Sequence, residues 1–168
     1  MPNQNCAQKG IPEHLHQDNR DEDPDFDDAE LLYRRFLSKV DSRDELIAAL
    51  STRSMSVNRD RYSEEPEDVL YNINANHPDD HFFDCGILEF DVESVETINV
   101  EHPQLDNRSY SFRVLHRPSQ CMYPHSVVKV VETIDGDDNI VDDISSGMVK
   151  LDLKDQICEH IDEVKEIE

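Results

Sequence analysis

From Gly86 onward the apolar spacing of this chain shifts towards a period of two. Ile87, Leu88, Phe90, Val92 and Val95 lead, with Ile98 and Val100 after them. Tyr110, Phe112, Val114 and His116 then alternate, and Val127, Lys129 and Val131 alternate against Val128, Val130 and Thr133. A period of two places alternate side chains on one face of a pleated strand, so the stretch predicts a sheet with a buried face. The two best runs flank a turn that holds Pro118, Cys121, Pro124 and His125. The second run is almost continuously apolar, which predicts a central strand.

Before and after that region the spacing is helical. Ala29, Leu32, Tyr33, Phe36, Leu37 and Val40 predict a helix capped by Asp27 or Asp28, with Arg34, Arg35 and Lys39 falling late, where the helix dipole favours cations. Ser42-x-x-Glu45 is a capping box opening a second short helix through Leu50. Met55 and Val57 alternate with polar residues and predict a short strand or extended loop. Ser63 followed by Glu64, Glu65 and Pro66 starts a further helix with Val69, Leu70 and Ile73 on its apolar side. Asp135 to Asp138 reads as a turn, Met148 to Leu151 as a short strand, and Asp152 onward as a final helix with Leu153, Ile157, Ile161 and Val164 on one face. The order of elements predicts an α+β fold: N-terminal helices packed on a small, mainly antiparallel sheet, with a C-terminal helix. Residues 1–27, with Ile11, Leu15 and Phe26 as their only bulky apolar side chains, predict a disordered acidic tail ahead of a single α+β domain at 28–168.

Charge narrows the function classes. Thirty-nine acids against sixteen bases give a formal charge of −23, which repels nucleic acid and anionic membranes and attracts basic partners. Four glycines, none clustered, leave no dinucleotide-binding or phosphate-binding glycine loop. Cys6, Cys85, Cys121 and Cys158 show no close pairing, and the expectation is reduced thiols in a cytoplasmic protein. No cofactor is predicted, and the oligomeric state stays open. The first functional reading is therefore a binding module of the immunity, antitoxin or nucleic-acid-mimic kind. Its acidic C-terminal residues Asp155, Glu159, Asp162, Glu163 and Glu166 would face a basic protein partner.

The second reading starts from a basic island. Tyr33 to Arg61 holds seven bases against four acids, whereas Val131 to Glu168 holds thirteen acids against three lysines. Arginine forks suit phosphate or carboxylate, so Arg34, Arg35 and Arg59 are candidate anion ligands and His125 a candidate catalytic acid or base. This would be a small enzyme acting on a phosphate-bearing substrate, and whether there is catalysis at all is left open. Its alternative is that these arginines simply pair with the surplus of acids.

Other constellations are weaker. His77, His81, Cys85, Cys121 and His125 offer metal-ligand types, but their spacing does not match close-pair zinc motifs. Asp135-x-Asp137-x-Asn139 begins like a calcium loop, yet Ile140 and Ser146 occupy the positions needing glycine and glutamate. Cys121 with His125 allows a thiol nucleophile, and packing is the commoner use of such a cysteine.

The motifs AELLYRRF, SMSVNRDRYSEEPEDVL, GILEFDVESV and RVLHRPSQCMYPHSVVKV, in that order, resemble a loose set of small bacterial proteins without a known activity. The likeness runs from residue 29 to about 133. It implies that Arg34, Arg35, Ser56, Arg59 and His125 form one site, and it brings no activity with it.

Overall fold

In a computed structural model that describes residues 4–37 and 40–165, the chain alternates short helices with antiparallel strands. The elements are α1 (Gln4–Gln8), β1 (Leu31–Phe36), α2 (Arg43–Ala48), β2 (Met55–Arg59), β3 (Gly86–Asp91), α3 (Val92–Glu96), β4 (Asn99–Glu101), β5 (Arg108–His116), β6 (His125–Ile134), β7 (Asp137–Val141), α4 (Gly147–Glu159) and β8 (Glu163–Lys165). The class is α+β, as the sequence predicts, and the sheet dominates it. Eight strands run in the order β4-β5-β6-β2-β1-β3-β8, with β7 beside β6.

The alternating runs become β5 and β6, paired along their whole length from Arg108↔Ile134 to His116↔Ser126. The other edge of β6 is shared. β2 takes its first half, Met55↔Val128 to Asn58↔His125, and β7 takes its second. β7 returns through Asp135 and Gly136, both at positive φ, the two-residue turn whose twist matches that of paired strands.

One face of the sheet carries Leu32, Phe36, Met55, Val57, Leu88, Phe90, Phe112, Val114, Val128 and Val130. Val92 and Val95 of α3 and Val149, Leu153 and Ile157 of α4 bury that face. Gly86 lies opposite Phe36 in the β1–β3 ladder, and a Cβ there would stand 2.1 Å from the Phe36 ring. The glycine is what lets that ring into the core.

Several expectations are corrected. Leu31–Phe36 is a strand, not a helix. LLYRRF satisfies both periods, and as a strand it gains ladders to β2 and β3 while burying Leu32 and Phe36 on one side and Tyr33 on the other. The helix at Pro66 is a five-residue 3-10 turn, Pro66–Leu70. Met148 to Leu151 belongs to α4, which Ser146 caps through its hydroxyl, and Val164 lies in β8 beyond the helix end.

The N-terminal segment is corrected as well. Cys6 and Cys121 form a disulfide across 115 residues, and Ile11, Leu15 and Met122 bury themselves around it. Hydrogen bonds continue the attachment: Tyr123 N–H donates to the Leu15 carbonyl at 2.7 Å, Gln17 N–H to the Gln120 carbonyl at 2.9 Å, and the Tyr123 hydroxyl to the Asp21 carbonyl at 2.6 Å. A segment too polar to pack by burial alone is held by a covalent bond and by carbonyls with fixed donors. The expectation of reduced thiols fails for this pair, while Cys85 and Cys158 are free thiols.

A candidate anion pocket at the fork of two strands

β1 and β2 are paired only at Leu32↔Arg59 and Tyr33↔Asn58. Beyond Tyr33 they part, because β2 continues along β6 while β1 continues along β3. Arg34 fills the fork. Its Nε donates to the Ala49 carbonyl at 2.8 Å and its Nη1 to the Ser56 carbonyl at 3.0 Å, replacing ladder bonds that the divergence removes. Arg35, one residue on, lays its guanidinium 3.9 Å above the Phe82 ring.

The register brings two more groups to the same place. His125 lies opposite Asn58 in the β2–β6 ladder, so His125, Asn58 and Ser56 share a sheet face. His125 Nε2 is 3.4 Å from the Ser56 hydroxyl. Its Nδ1 is 2.7 Å from the Arg117 carbonyl. A carbonyl only accepts, so Nδ1 carries the proton and Nε2 of the neutral ring presents its lone pair to Ser56.

Arg34, Arg35, Ser56 and His125 thus line one cavity of about 260 Å³. Tyr71, Asn72, Ile73, Asn74 and Phe82 wall it from the 70–85 loop, and Met122 closes it from the β5–β6 turn. Two contacts brace that loop from behind: Lys9 Nζ donates to the Ile73 carbonyl at 2.8 Å, and His81 Nε2 donates to the Lys9 carbonyl at 2.6 Å. Since Lys9 follows α1 directly, the disulfide-linked segment supports the pocket wall.

The electrostatics are unusual for so acidic a chain. Arg43 pairs with Asp155 and Glu159, Arg61 with Asp23, and Arg117 with Glu22. Among the described residues, Arg34 and Arg35 have no carboxylate within ion-pair distance. Burial, with Arg35 alongside, presses the Arg34 guanidinium down to about 10, and burial lowers Arg35 too. Both remain cations at neutral pH, desolvated in part and without a counter-charge.

Arg59, grouped with them at sequence level, lies elsewhere. It is fully buried, donates from Nε and Nη2 to the Glu30 carboxylate at 2.5 and 3.0 Å, and donates to the Asp23 and Asp25 carbonyls at 2.8 and 2.6 Å. Phe26 stacks on its guanidinium at 3.8 Å. Its donors are committed to holding residues 23–30, so it is corrected from anion ligand to core clamp.

The remaining candidates disperse. His77 is exposed beside Asp79, His81 has both ring nitrogens engaged by backbone, Cys85 is buried near Arg35, and Cys121 is in the disulfide. Burial pushes the Cys85 thiol up, making it a poorer nucleophile or ligand. No group of three metal-ligating side chains forms among the described residues. Of the acidic C-terminal residues, Asp155 and Glu159 hold Arg43, Asp162 is exposed, Glu163 is in β8, and Glu166 lies outside the described residues.

Sequence reasoning missed the pocket walls, since Tyr71, Ile73, Phe82 and Met122 carry no local pattern that marks a cavity. Comparison with protein-family models, curated proteins and solved structures finds no match. No helix among the described residues is long and apolar enough to cross a membrane.

Proposed function

We propose that the chain is a small enzyme acting on a phosphate-bearing substrate, whose anion Arg34 and Arg35 hold while His125 serves as acid or base. The observation that carries this reading is the pair of partly buried arginines lining a cavity without carboxylate partners, in a protein with 39 acids to choose from. A phosphate would supply the missing counter-charge, accepting from the Arg35 guanidinium and from the Arg34 N–H groups that the Ala49 and Ser56 carbonyls leave over. The oriented His125 adds a proton acceptor at the cavity rim.

The acidic binding-module reading has less behind it. It rests on charge alone, and Asp155 and Glu159 already have a cationic partner in Arg43. The disulfide favours an oxidising compartment over the cytoplasm as the place of work.

Titration calorimetry with inorganic phosphate and phenyl phosphate tests the proposal. The expected result is saturable binding to the full chain, weakened about tenfold or more in Arg35→Gln, as suits loss of a charge-assisted contact. Arg34→Lys, which keeps a cation in the fork, should bind between the two. Equal affinity in all three proteins would remove the phosphate pocket.

A further inference from the structure

The geometry points to Ser56 as the nucleophile of this pocket, attacking a phosphate monoester to form a phosphoserine intermediate. The inference rests on the pocket being a phosphate site and names the group that does the chemistry there. Ser56 is exposed on the cavity side of β2, and its hydroxyl is 3.4 Å from His125 Nε2. The Arg117 carbonyl fixes the tautomer through Nδ1 at 2.7 Å. This is the arrangement an activated hydroxyl requires: nucleophile, base, and a third group that orients the base. Such hydrogen bonds commonly shorten when substrate is bound.

A cation already stands at the nucleophile's own residue, since Arg34 Nη1 donates to the Ser56 carbonyl at 3.0 Å. A phosphoryl group approaching Ser56 therefore meets a guanidinium as charge builds on its peripheral oxygens.

The step balances without a metal or co-reactant. Ser56 Oγ forms a bond to phosphorus while its proton passes to His125 Nε2. The ester P–O bond breaks, and the leaving alkoxide takes that proton from the imidazolium and departs as an alcohol. Water then attacks the phosphoserine with His125 again as base. Orthophosphate leaves, and Ser56 regains its hydrogen.

The test uses the full chain with p-nitrophenyl phosphate, following nitrophenolate release, with acid-quenched samples mapped by peptide mass spectrometry. Expected are a phosphoryl adduct on the peptide containing Ser56 and loss of turnover in Ser56→Ala, which should still bind inorganic phosphate like wild type. His125→Asn should slow release about a hundredfold or more. Turnover persisting in Ser56→Ala would mean that water attacks directly, and would overturn the assignment. Phosphate binding with neither turnover nor adduct in wild type would also overturn it while leaving the anion pocket standing. Absence of phosphate binding would remove both.

Discussion

At the residue scale, the N-terminal segment is governed by a buried histidine. His116 Nδ1 accepts the Asp23 N–H at 2.8 Å, and its Nε2–H donates to the Tyr123 carbonyl at 2.6 Å. That arrangement needs a neutral ring, and burial lowers its pKa, with Arg59 adding to the effect while the Tyr123 bond, Asp23 and Glu22 oppose it. The folded protein therefore refuses a proton that the unfolded chain accepts near the ordinary histidine value of about 6.5. Bound protons then favour the unfolded state as pH falls, so this contribution is present above that value and lost progressively below it. The expected outcome is a fall in urea midpoint between about pH 7 and 5 that is shallower in His116→Gln. Parallel profiles for the two proteins would show that another group controls acid stability. The same site explains why Arg59 misleads at sequence level. It falls in the same basic stretch as Arg34 and Arg35, but a residue's burial is set by strand register, and Arg59 is on the core side of β2 while Ser56 is on the other.

Among the elements, the N-terminal segment is the one that a covalent bond ties to the sheet, with hydrogen bonds from Tyr123, Gln17 and Arg59 alongside it. In the chain-entropy description, a loop of this size contributes roughly 4–5 kcal/mol. Reduction, or Cys6→Ala, should lower the unfolding free energy extrapolated from urea denaturation by that order. It should also weaken phosphate binding, because Lys9 no longer braces the 70–85 loop. Unchanged phosphate affinity in the reduced, still folded protein would separate the segment from the pocket. What the sequence revealed follows the same physics. β5 was legible through its period of two, and β6 through a β-branched, almost continuously apolar run. α2 was legible through the Ser42 cap, whose hydroxyl accepts the Glu45 N–H at 3.2 Å. β1 was not, because its apolar residues fit helix and strand alike and only its neighbours decide. The N-terminal segment was not, because its attachment depends on a cysteine 115 positions away. Arg34, Arg35, Ser56 and His125 could be named from the sequence, but the cavity they share exists only because two strands diverge.

For the whole molecule, the charge of −23 opposes the anion that the pocket is proposed to take. Surface acids act through solvent over a Debye length of about 8 Å at physiological ionic strength, whereas partly buried arginines act at contact and are screened less. Added salt should therefore speed association of phosphate by lowering the long-range barrier, the reverse of a basic nucleotide-binding protein. Stopped-flow measurements across ionic strength check this, and a rate that falls steeply with salt would place the attraction at the surface.

The position of β6 has a consequence for the order in which this protein can assemble. Remove it, and the sheet separates into β4-β5 on one side and β2-β1-β3-β8 on the other, and β7 loses its ladder. During synthesis, every residue up to the end of β5 therefore emerges into two incomplete pieces, each with an open edge. The strand that joins β4-β5 to β2-β1-β3 arrives only after those five, with β8 still to follow, and it carries His125 at its first position. The seam of the fold and the base of the proposed reaction are thus delivered together, so the molecule has no pocket until it has a sheet.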